Sequence, residues 1–566
     1  MNPTIILGLV HPIDSDPLQV WQSKPVAAMD QDGRFWDLRD LTQEDSLRNY
    51  LQHARVILDR LPWGWATWQL TAWSLEVVER ALRLGHPTYL HSIGDMARRY
   101  KVRDVPWQWN VDSWPWRKGM LIPRTSLETQ AAATLKAVRG VYDEQMKEMT
   151  TVLSRHLEQI EMPSEQVHKI VTAHGLRIDQ KRLGKLREIN SQHVESLAKL
   201  LKAHGLCEPG NDVSVLSWLT TKGFGQLFPD GVDDDTLKAV STKHPAISQI
   251  RRYRRLQNLR QQPWFKEDRF DDAGRYHPLN HILAAPTTRS IAVDPALTGI
   301  PKELRPLIVA GPDMVMLESD FGSMEIATIA ARYGDRDLAH FYNQGNAISA
   351  LAQLIFAEVK EVEISKIKRD FPDAYADMKI IIYSVLYGRT ARSLARIMGI
   401  SQVKAQRLLN RLLSFCPVVA QGIQKMKAYA RKKKQIPLIK GLHRKLTDGD
   451  MQSGYRVETL AANSPVQGLA AVIFRAASIL VHRVLNALGG RLVMLNHDAF
   501  LYEVPRALAF EAREQVEAAM KQAFRELLGD LVQIRVDTDM TDLTCWNKDG
   551  HSDSFDLFLA DPNFRL

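Results

Sequence analysis

Hydrophobic and polar positions divide the chain into three textures. Residues 1 to about 130 mix short apolar runs with dense tryptophan, in LPWGWATWQLTAW and VPWQWNVDSWPW. From about 131 to 275, apolar residues recur at spacings of three and four, as in LETQAAATLKAVRGVYDEQMKEMTTVL and DQKRLGKLREINSQHVESLAKLLKAHG. That period predicts amphipathic helices, and the helical zone ends in QIRRYRRLQNLR, with five arginines. From about 276 onward helical patterns alternate with runs of strand formers, the texture of an α/β catalytic region. The sequence holds no internal repeat and no low-complexity tract.

Within the last zone, LNHDAFLYEVP, residues 495–505, has a clear grammar. RLVMLN is rich in strand formers, and beyond the turn Phe500, Tyr502 and Val504 alternate with Ala499, Leu501 and Glu503. The pattern predicts strand, tight turn, strand, with His497 and Asp498 at the turn. Alone, such an aspartate is ordinarily a solvated hairpin residue. A second carboxylate changes the picture. In DMVMLESDFGSMEIATIAARYGD, residues 313–335, MVML reads as a strand, Asp320 falls near its end and a helix follows. Ser323 can cap that helix, Glu325 lies in its first turn and Gly334 can end it. Two aspartates held in this way can share a pair of Mg²⁺ ions roughly 3.5–4 Å apart. One ion activates an attacking hydroxyl and the other neutralises a leaving pyrophosphate. Between them, DMKIIIYSVLYGRTARSLA spaces Lys379, Tyr383 and Tyr387 by fours, along one stripe of a helix. A cation and two rings on one face suit a nucleotide, lysine for the triphosphate and rings for base and sugar.

Composition narrows the classes. At 566 residues the chain exceeds what a single core supports, and 45% hydrophobic with 25% charged residues marks a globular protein. A formal charge of +9 favours a polyanionic partner. KMKAYARKKKQIPLIKGLHRKL, residues 425–446, interleaves cations with Tyr429, Pro437 and Gly441. It reads either as a solvated helix followed by a loop or as a phosphate-tracking surface. The three cysteines, Cys207, Cys416 and Cys545, show no metal-ligand spacing and suggest a reducing compartment. MNPTIILGLVHP lacks a basic leader region and no uninterrupted apolar run reaches about 18 residues. The expectation is a cytoplasmic protein without a membrane partner.

The order of the three stretches, their internal spacing and their flanks resemble family A DNA polymerases, the DNA polymerase I-like group. There a strand-helix element with Asp and Glu comes first, then a fingers helix with Lys, an aromatic and Tyr-Gly, then a His-Asp hairpin. APTTRS resembles the Thr-Gly-Arg element near the primer terminus, with Arg289 as its arginine. PALTGIPKELRPLIVA resembles the segment leading into the first carboxylate, and ANSPVQG supplies Asn463 and Gln467. CWN, with Trp546, fits the family's ending, so the likeness covers about residues 155–566.

The resemblance implies a mixed α/β (α+β) right hand. The thumb would span 150–265, the palm 266–335 and 447–566, and the fingers 336–446. Residues 1–149 would form a divergent RNase H-like 3′–5′ exonuclease-type or accessory domain. It also implies template-directed DNA synthesis with two Mg²⁺ ions held by Asp320, Asp498 and the Phe321 backbone carbonyl. Glu325, Lys379, Tyr383, Tyr387 and His497 would meet the nucleotide, and Arg289, Asn463 and Gln467 the DNA. The implied partners are primer-template DNA and deoxynucleoside triphosphates, with a monomeric enzyme and room for an accessory replication protein.

Four departures stand out. Ala499 replaces the carboxylate after the His-Asp pair, Tyr375 an arginine one turn before the fingers lysine, Ser384 a glycine, and TTR stands for TGR. In the N-terminal zone no Asp-x-Glu ends the first strand, Asp14 and Asp16 come late, and tryptophans occupy the next acidic element. No proofreading is expected. Two readings compete. SLARIMGISQVKAQRLLNRLL, residues 393–413, could be a helix-turn-helix of a non-catalytic DNA-binding protein, although Gly399, Ile400 and Ser401 match a turn in the fingers. A single-subunit RNA polymerase shares the carboxylates, but Glu325 resembles the steric gate that excludes a ribose 2′-hydroxyl.

Overall fold

The computed structural model describes residues 3–11, 20–86, 91–103, 124–228, 231–241, 244–266, 270–293, 300–439, 441–540 and 543–547. Two compact units divide the chain. One comprises Met1–His174, Asn280–Ile291 and Ser319–Thr538, and the other Gly175–Leu279, Ala292–Glu318 and Asp539–Leu566. Residues 151–174, counted with the thumb on sequence, cluster with the first unit.

The first unit opens on a mixed sheet of β1 (Thr4–Val10), β2 (Ala27–Asp30), β3 (Phe35–Asp37), β4 (Arg55–Leu58) and β5 (Thr71–Ser74). Its order is β3-β2-β1-β4-β5, with β1, β2 and β3 antiparallel and β4 and β5 parallel to β1. Helix α1 (Leu41–Leu51) is capped by the Asp40 carboxylate, which accepts from the Thr42 amide. The long α2 (Arg124–Glu148), part of the helical zone read from sequence, lies directly on β1. Contact is closest at Gly8, where a Cβ would stand 2.3 Å from the Ala131 carbonyl oxygen, so only glycine allows it. Trp36, Trp65 and Trp68 are buried in one cluster, and the last two rings stack at 4.2 Å. These tryptophans pack the domain; the VPWQWNVDSWPW tryptophans, Asp14 and Asp16 lie outside the described residues.

A π-helical turn, Leu157–Glu161, leads into α3 (Met162–His174). Beyond it come β6 (Met314–Phe321), α4 (Met324–Tyr333), α5 (Pro372–Leu386), α6 (Ala391–Met398), α7 (Gln402–Ser414) and α8 (Pro417–Lys433). The second half of the basic stretch forms a two-stranded hairpin, β7 (Gln435–Ile439) with β8 (Leu442–Lys445), with Pro437 opposite His443. Helix α9 (Gly454–Ala487) precedes β9 (Arg491–Asn496), β10 (Ala499–Pro505), α10 (Ala509–Leu528) and β11 (Val536–Asp539). The sheet order is β9-β10-β6-β11. Helix α9 is long and apolar enough to cross a membrane, yet 72% of its most apolar window is buried inside the protein. It is the central core helix.

In the second unit, helices Gln180–Ala203 and Pro245–Gln261 pack together, and the buried Asn190 amide donates to the Leu256 carbonyl at 3.2 Å. Arg251 and Arg255 bind Asp234 at 2.8 Å, and Arg254 binds Asp212 at 2.8 Å. The arginine run therefore braces its own unit.

Candidate active site

Strand β6 ends at Asp320 and Phe321, and the hairpin turn comes to it. The Phe321 amide donates to the Asp498 carbonyl at 3.1 Å, which sets the two aspartates side by side. In the β9–β10 ladder Asn496 pairs with Ala499, leaving His497 and Asp498 as the two-residue turn expected from sequence. His497 adopts φ +56° to make it. Behind the turn, the Ser319 hydroxyl lies 3.0 Å from the Tyr502 hydroxyl and 2.8 Å from that of Thr538, tying three strands together. Phe474 of α9 stacks on Phe500 of β10, rings 4.4 Å apart and 7° from parallel.

The electrostatics follow from this placement. Burial first, and then the charge of Asp320, push the Asp498 carboxyl up to about 7. A buried carboxyl raised in this way beside a second carboxylate marks a site that a cation would relieve. Among the described residues no three His, Cys, Asp or Glu side chains gather as a metal cluster. The donors on offer are two carboxylates and nearby backbone oxygens, hard ligands of the kind that suit Mg²⁺.

Glu325 is buried in the first turn of α4. It accepts from the Arg289 guanidinium at 2.8 Å and from the Tyr387 hydroxyl at 2.9 Å. Burial, then the charge of Glu325, push the Tyr387 phenol up to about 12, so it remains a donor at neutral pH. Gln467 of α9 lies beside Tyr387, whose ring is 5.6 Å from that of Tyr383. Gly388 closes α5 against α9 at φ +61°, with space for a Cβ only 3.0 Å from Ala462 and Thr459. Local desolvation and then the charge of Arg289 push the His497 imidazole below its ordinary pKa. Lys379 is exposed one turn before Tyr383, and Asn463, with a buried amide oxygen that has no protein partner, stands one turn before Gln467.

The fold thus gathers Asp320, Asp498, Glu325, Arg289, Tyr383, Tyr387, Gln467 and His497, with Lys379 and Asn463 a turn away on α5 and α9. One expectation fails. Ser323 occupies the cap position of α4 in the left-handed region, φ +51°, and its side chain makes no capping bond, whereas Gly334 ends the helix as read. The turn after Phe321 is braced instead by the Tyr342 hydroxyl, which donates to the Gly322 carbonyl. The departures are absorbed locally. Ser384 is buried and donates to the Ile380 carbonyl at 2.7 Å, Ala499 is buried in β10, and Lys368 lies 5.9 Å over the Tyr375 ring. Sequence reasoning missed the buried groups behind Arg289, namely Glu161, His168 and Arg475; the TTR departure was the one signal pointing there.

A family model for DNA polymerase family A matches residues 220–547, more than half of the chain. DNA polymerase I of Chloroflexus aurantiacus is 25% identical over 400 residues, 65% of this chain and 41% of that protein. DNA polymerase theta of Caenorhabditis elegans is 27% identical over 301 residues, 52% of this chain and 18% of that protein. The chain spans less than half the length of either relative. Among solved structures, the POL domain of Pol1 from M. smegmatis, in complex with DNA primer-template and dNTP, shares the fold. Its TM-score is 0.75 at 20% identity, covering 97% of this chain and 96% of that one. With the family model matched over residues 220–547, this chain belongs to DNA polymerase family A.

Proposed function

We propose that the chain adds deoxynucleotides to a primer 3′-hydroxyl under the direction of a template strand, releasing pyrophosphate. The observation that carries the reading is the convergence of Asp320 and Asp498 at the end of β6, with the Asp498 carboxyl raised to about 7. Both carboxylates and the Phe321 carbonyl are hard oxygen donors, which fit Mg²⁺. Bound there, two magnesium ions would acidify the primer hydroxyl and neutralise the departing pyrophosphate.

The chain's own residues position the reactants, and catalysis rests on that positioning and on charge neutralisation. Lys379 faces the triphosphate, and Tyr383 and Tyr387 line base and sugar. Glu325, pinned by Arg289 and Tyr387, fills the space a ribose 2′-hydroxyl needs, which favours DNA over RNA synthesis. Arg289, Asn463, Gln467 and His497 attend the primer end. The Pol1 structure holds primer-template and dNTP, and its likeness over nearly the whole chain supports the same classes of partner here.

The thumb, palm and fingers follow the boundaries read from the sequence, apart from residues 151–174, which cluster with the first unit. The five-stranded mixed sheet supports a divergent exonuclease-type domain at the N-terminus, and the expectation that it does not proofread rests on the absence of an Asp-x-Glu after the first strand. Two of its buried acids are engaged structurally: Asp30 accepts from the Asp32 and Arg34 amides and the Tyr50 hydroxyl, and Asp59 pairs with His11 at 3.2 Å.

Primer extension on defined DNA, with and without Mg²⁺, tests the proposal. Asp320→Ala and Asp498→Ala are expected to abolish extension while primer-template binding persists. Extension by Asp498→Ala at the parent rate refutes the assignment, and binding without incorporation by the parent protein favours a non-catalytic DNA-binding role.

A further inference from the structure

Arg289 stands between two residues that the fold fixes from opposite sides. Thr288 is fully buried at φ +64°, a region that β-branched residues avoid. Its hydroxyl donates to the Gly468 carbonyl of α9 at 3.1 Å, and its carbonyl accepts from the Arg475 guanidinium. Arg475 is itself fully buried and pairs with Glu161 through two contacts, at 2.7 and 2.8 Å. Glu161, equally buried, closes the π-helical turn before α3 and also holds His156 at 2.9 Å. Turns of this rare kind concentrate at functional sites.

On the other side, the Ser290 hydroxyl meets His168 Nε2 at 2.8 Å. The opposite ring nitrogen, Nδ1, faces the Ser164 carbonyl at 2.8 Å. A carbonyl can only accept, so Nδ1 carries the proton and Nε2 accepts from Ser290. Burial keeps this histidine neutral, with its pKa pushed down to about 3. The hydroxyl and carbonyl of Thr288 and the hydroxyl of Ser290 are thereby committed, and between them the Arg289 side chain reaches Glu325.

A buried ion pair of this kind gives little net stability over apolar residues of the same volume, so its use lies in fixing a conformation. We propose that Arg475, Glu161 and His168 are positioning residues that hold the Thr288–Ser290 backbone so that Arg289 meets the primer-terminal nucleotide in one orientation. The inference rests on the reading of Arg289 as the arginine of the primer-terminus element. A long side chain is aimed by its backbone, and a displacement of about 1 Å at a reacting centre can cost roughly 100-fold in rate.

The test is a double-mutant cycle in the full chain. kcat and KM for the correct dNTP are measured on matched and 3′-mismatched primers for Arg289→Ala, Glu161→Gln and the double variant. Arg289→Ala is expected to lower kcat/KM on the matched primer by about 100-fold and to narrow the matched-to-mismatched ratio. Glu161→Gln is expected to lose about tenfold, in kcat rather than KM, and less than about twofold more in the Arg289→Ala background. Losses that multiply overturn the positioning role while leaving the Arg289 reading intact. An Arg289→Ala variant with parent kinetics and parent mismatch discrimination overturns that reading, and the inference with it. Should Glu161→Gln fail to fold, Ser290→Ala enters the same cycle. It removes one hydroxyl and leaves the buried pair whole, and multiplicative losses there are equally decisive.

Discussion

Replacing Arg475 by methionine keeps the apolar length of the side chain and strands Glu161 without its counter-charge. The size of the effect follows from the carboxyl itself. Burial would raise the Glu161 pKa, but Arg475 and His156 outweigh it and hold the group at about 2, against an ordinary 4.5. That difference corresponds to on the order of 3 kcal/mol, in line with the ~3–5 kcal/mol lost when one partner of a buried pair is removed. In the parent protein the contribution is fully present above about pH 4.5 and disappears as pH falls toward 2. In Arg475→Met only His156 opposes burial, so the carboxyl moves above 4.5 and the folded form keeps a proton that the unfolded chain releases. Stability of the variant then falls by about 1.4 kcal/mol per pH unit as pH rises from 4.5 to the new pKa. The deficit relative to the parent is therefore largest near pH 7.5 and shrinks by pH 5. Urea unfolding, followed through the buried Trp65 and Trp73 of the same unit, measures both conditions. Adding Glu161→Gln to Arg475→Met should abolish the pH dependence. A deficit of equal size at both pH values refutes the account, because it would mean that Glu161 does not depend on Arg475 for its charge.

Three further outcomes are expected. Glu325→Ala should raise ribonucleotide incorporation relative to deoxynucleotide by at least about tenfold, read from single-nucleotide insertion ratios; an unchanged ratio removes Glu325 from the gate. Tyr383, half-buried beside Tyr387, resembles the tyrosine form of family members that accept dideoxynucleotides. Efficient chain termination is therefore expected of the parent and reduced termination of Tyr383→Phe in a primer-extension ladder, and strong discrimination by the parent counts against it. Incubation with a 3′-mismatched, end-labelled primer and Mg²⁺ but no nucleotides should leave the primer intact; stepwise shortening that survives Asp498→Ala would reveal a nuclease site in the N-terminal zone.

The parts of the site that sequence displays are those where local pattern and local structure coincide. His497 and Asp498 are legible because period-two strands flank them, and the pairing of Asn496 with Ala499 leaves those two residues as the turn. Lys379 and Tyr383 are legible because steps of four stay on one face of α5. Ser323 misled, because a serine before a helix has the right chemistry for a cap, while the backbone there turns left-handed and carries the hydroxyl away from the first amides. The pairing of Arg475 with Glu161 spans 314 positions, and no periodicity links them. Neither residue looks unusual alone, since charged residues in helical segments ordinarily face solvent. The strained Thr288 is a similar case, visible only as a departure from a motif until its φ is known.

Helix α9 carries Asn463, Gln467, Gly468, Phe474 and Arg475, and the last four touch Tyr387, Thr288, Phe500 and Glu161. Every residue along it advances about 1.5 Å and turns about 100°. One inserted residue after Gly468 would leave Gln467 on Tyr387 while swinging Phe474 and Arg475 away from the hairpin and from the Thr288 carbonyl. Identity at the apolar packing positions of the helix is negotiable, because Met can stand for Leu, or Ile for Leu with repacking, at modest cost. The number of residues between Gln467 and Arg475 is not. Related chains that keep this site should therefore vary at the packing positions between Gly468 and Phe474 and show no insertion or deletion within the stretch.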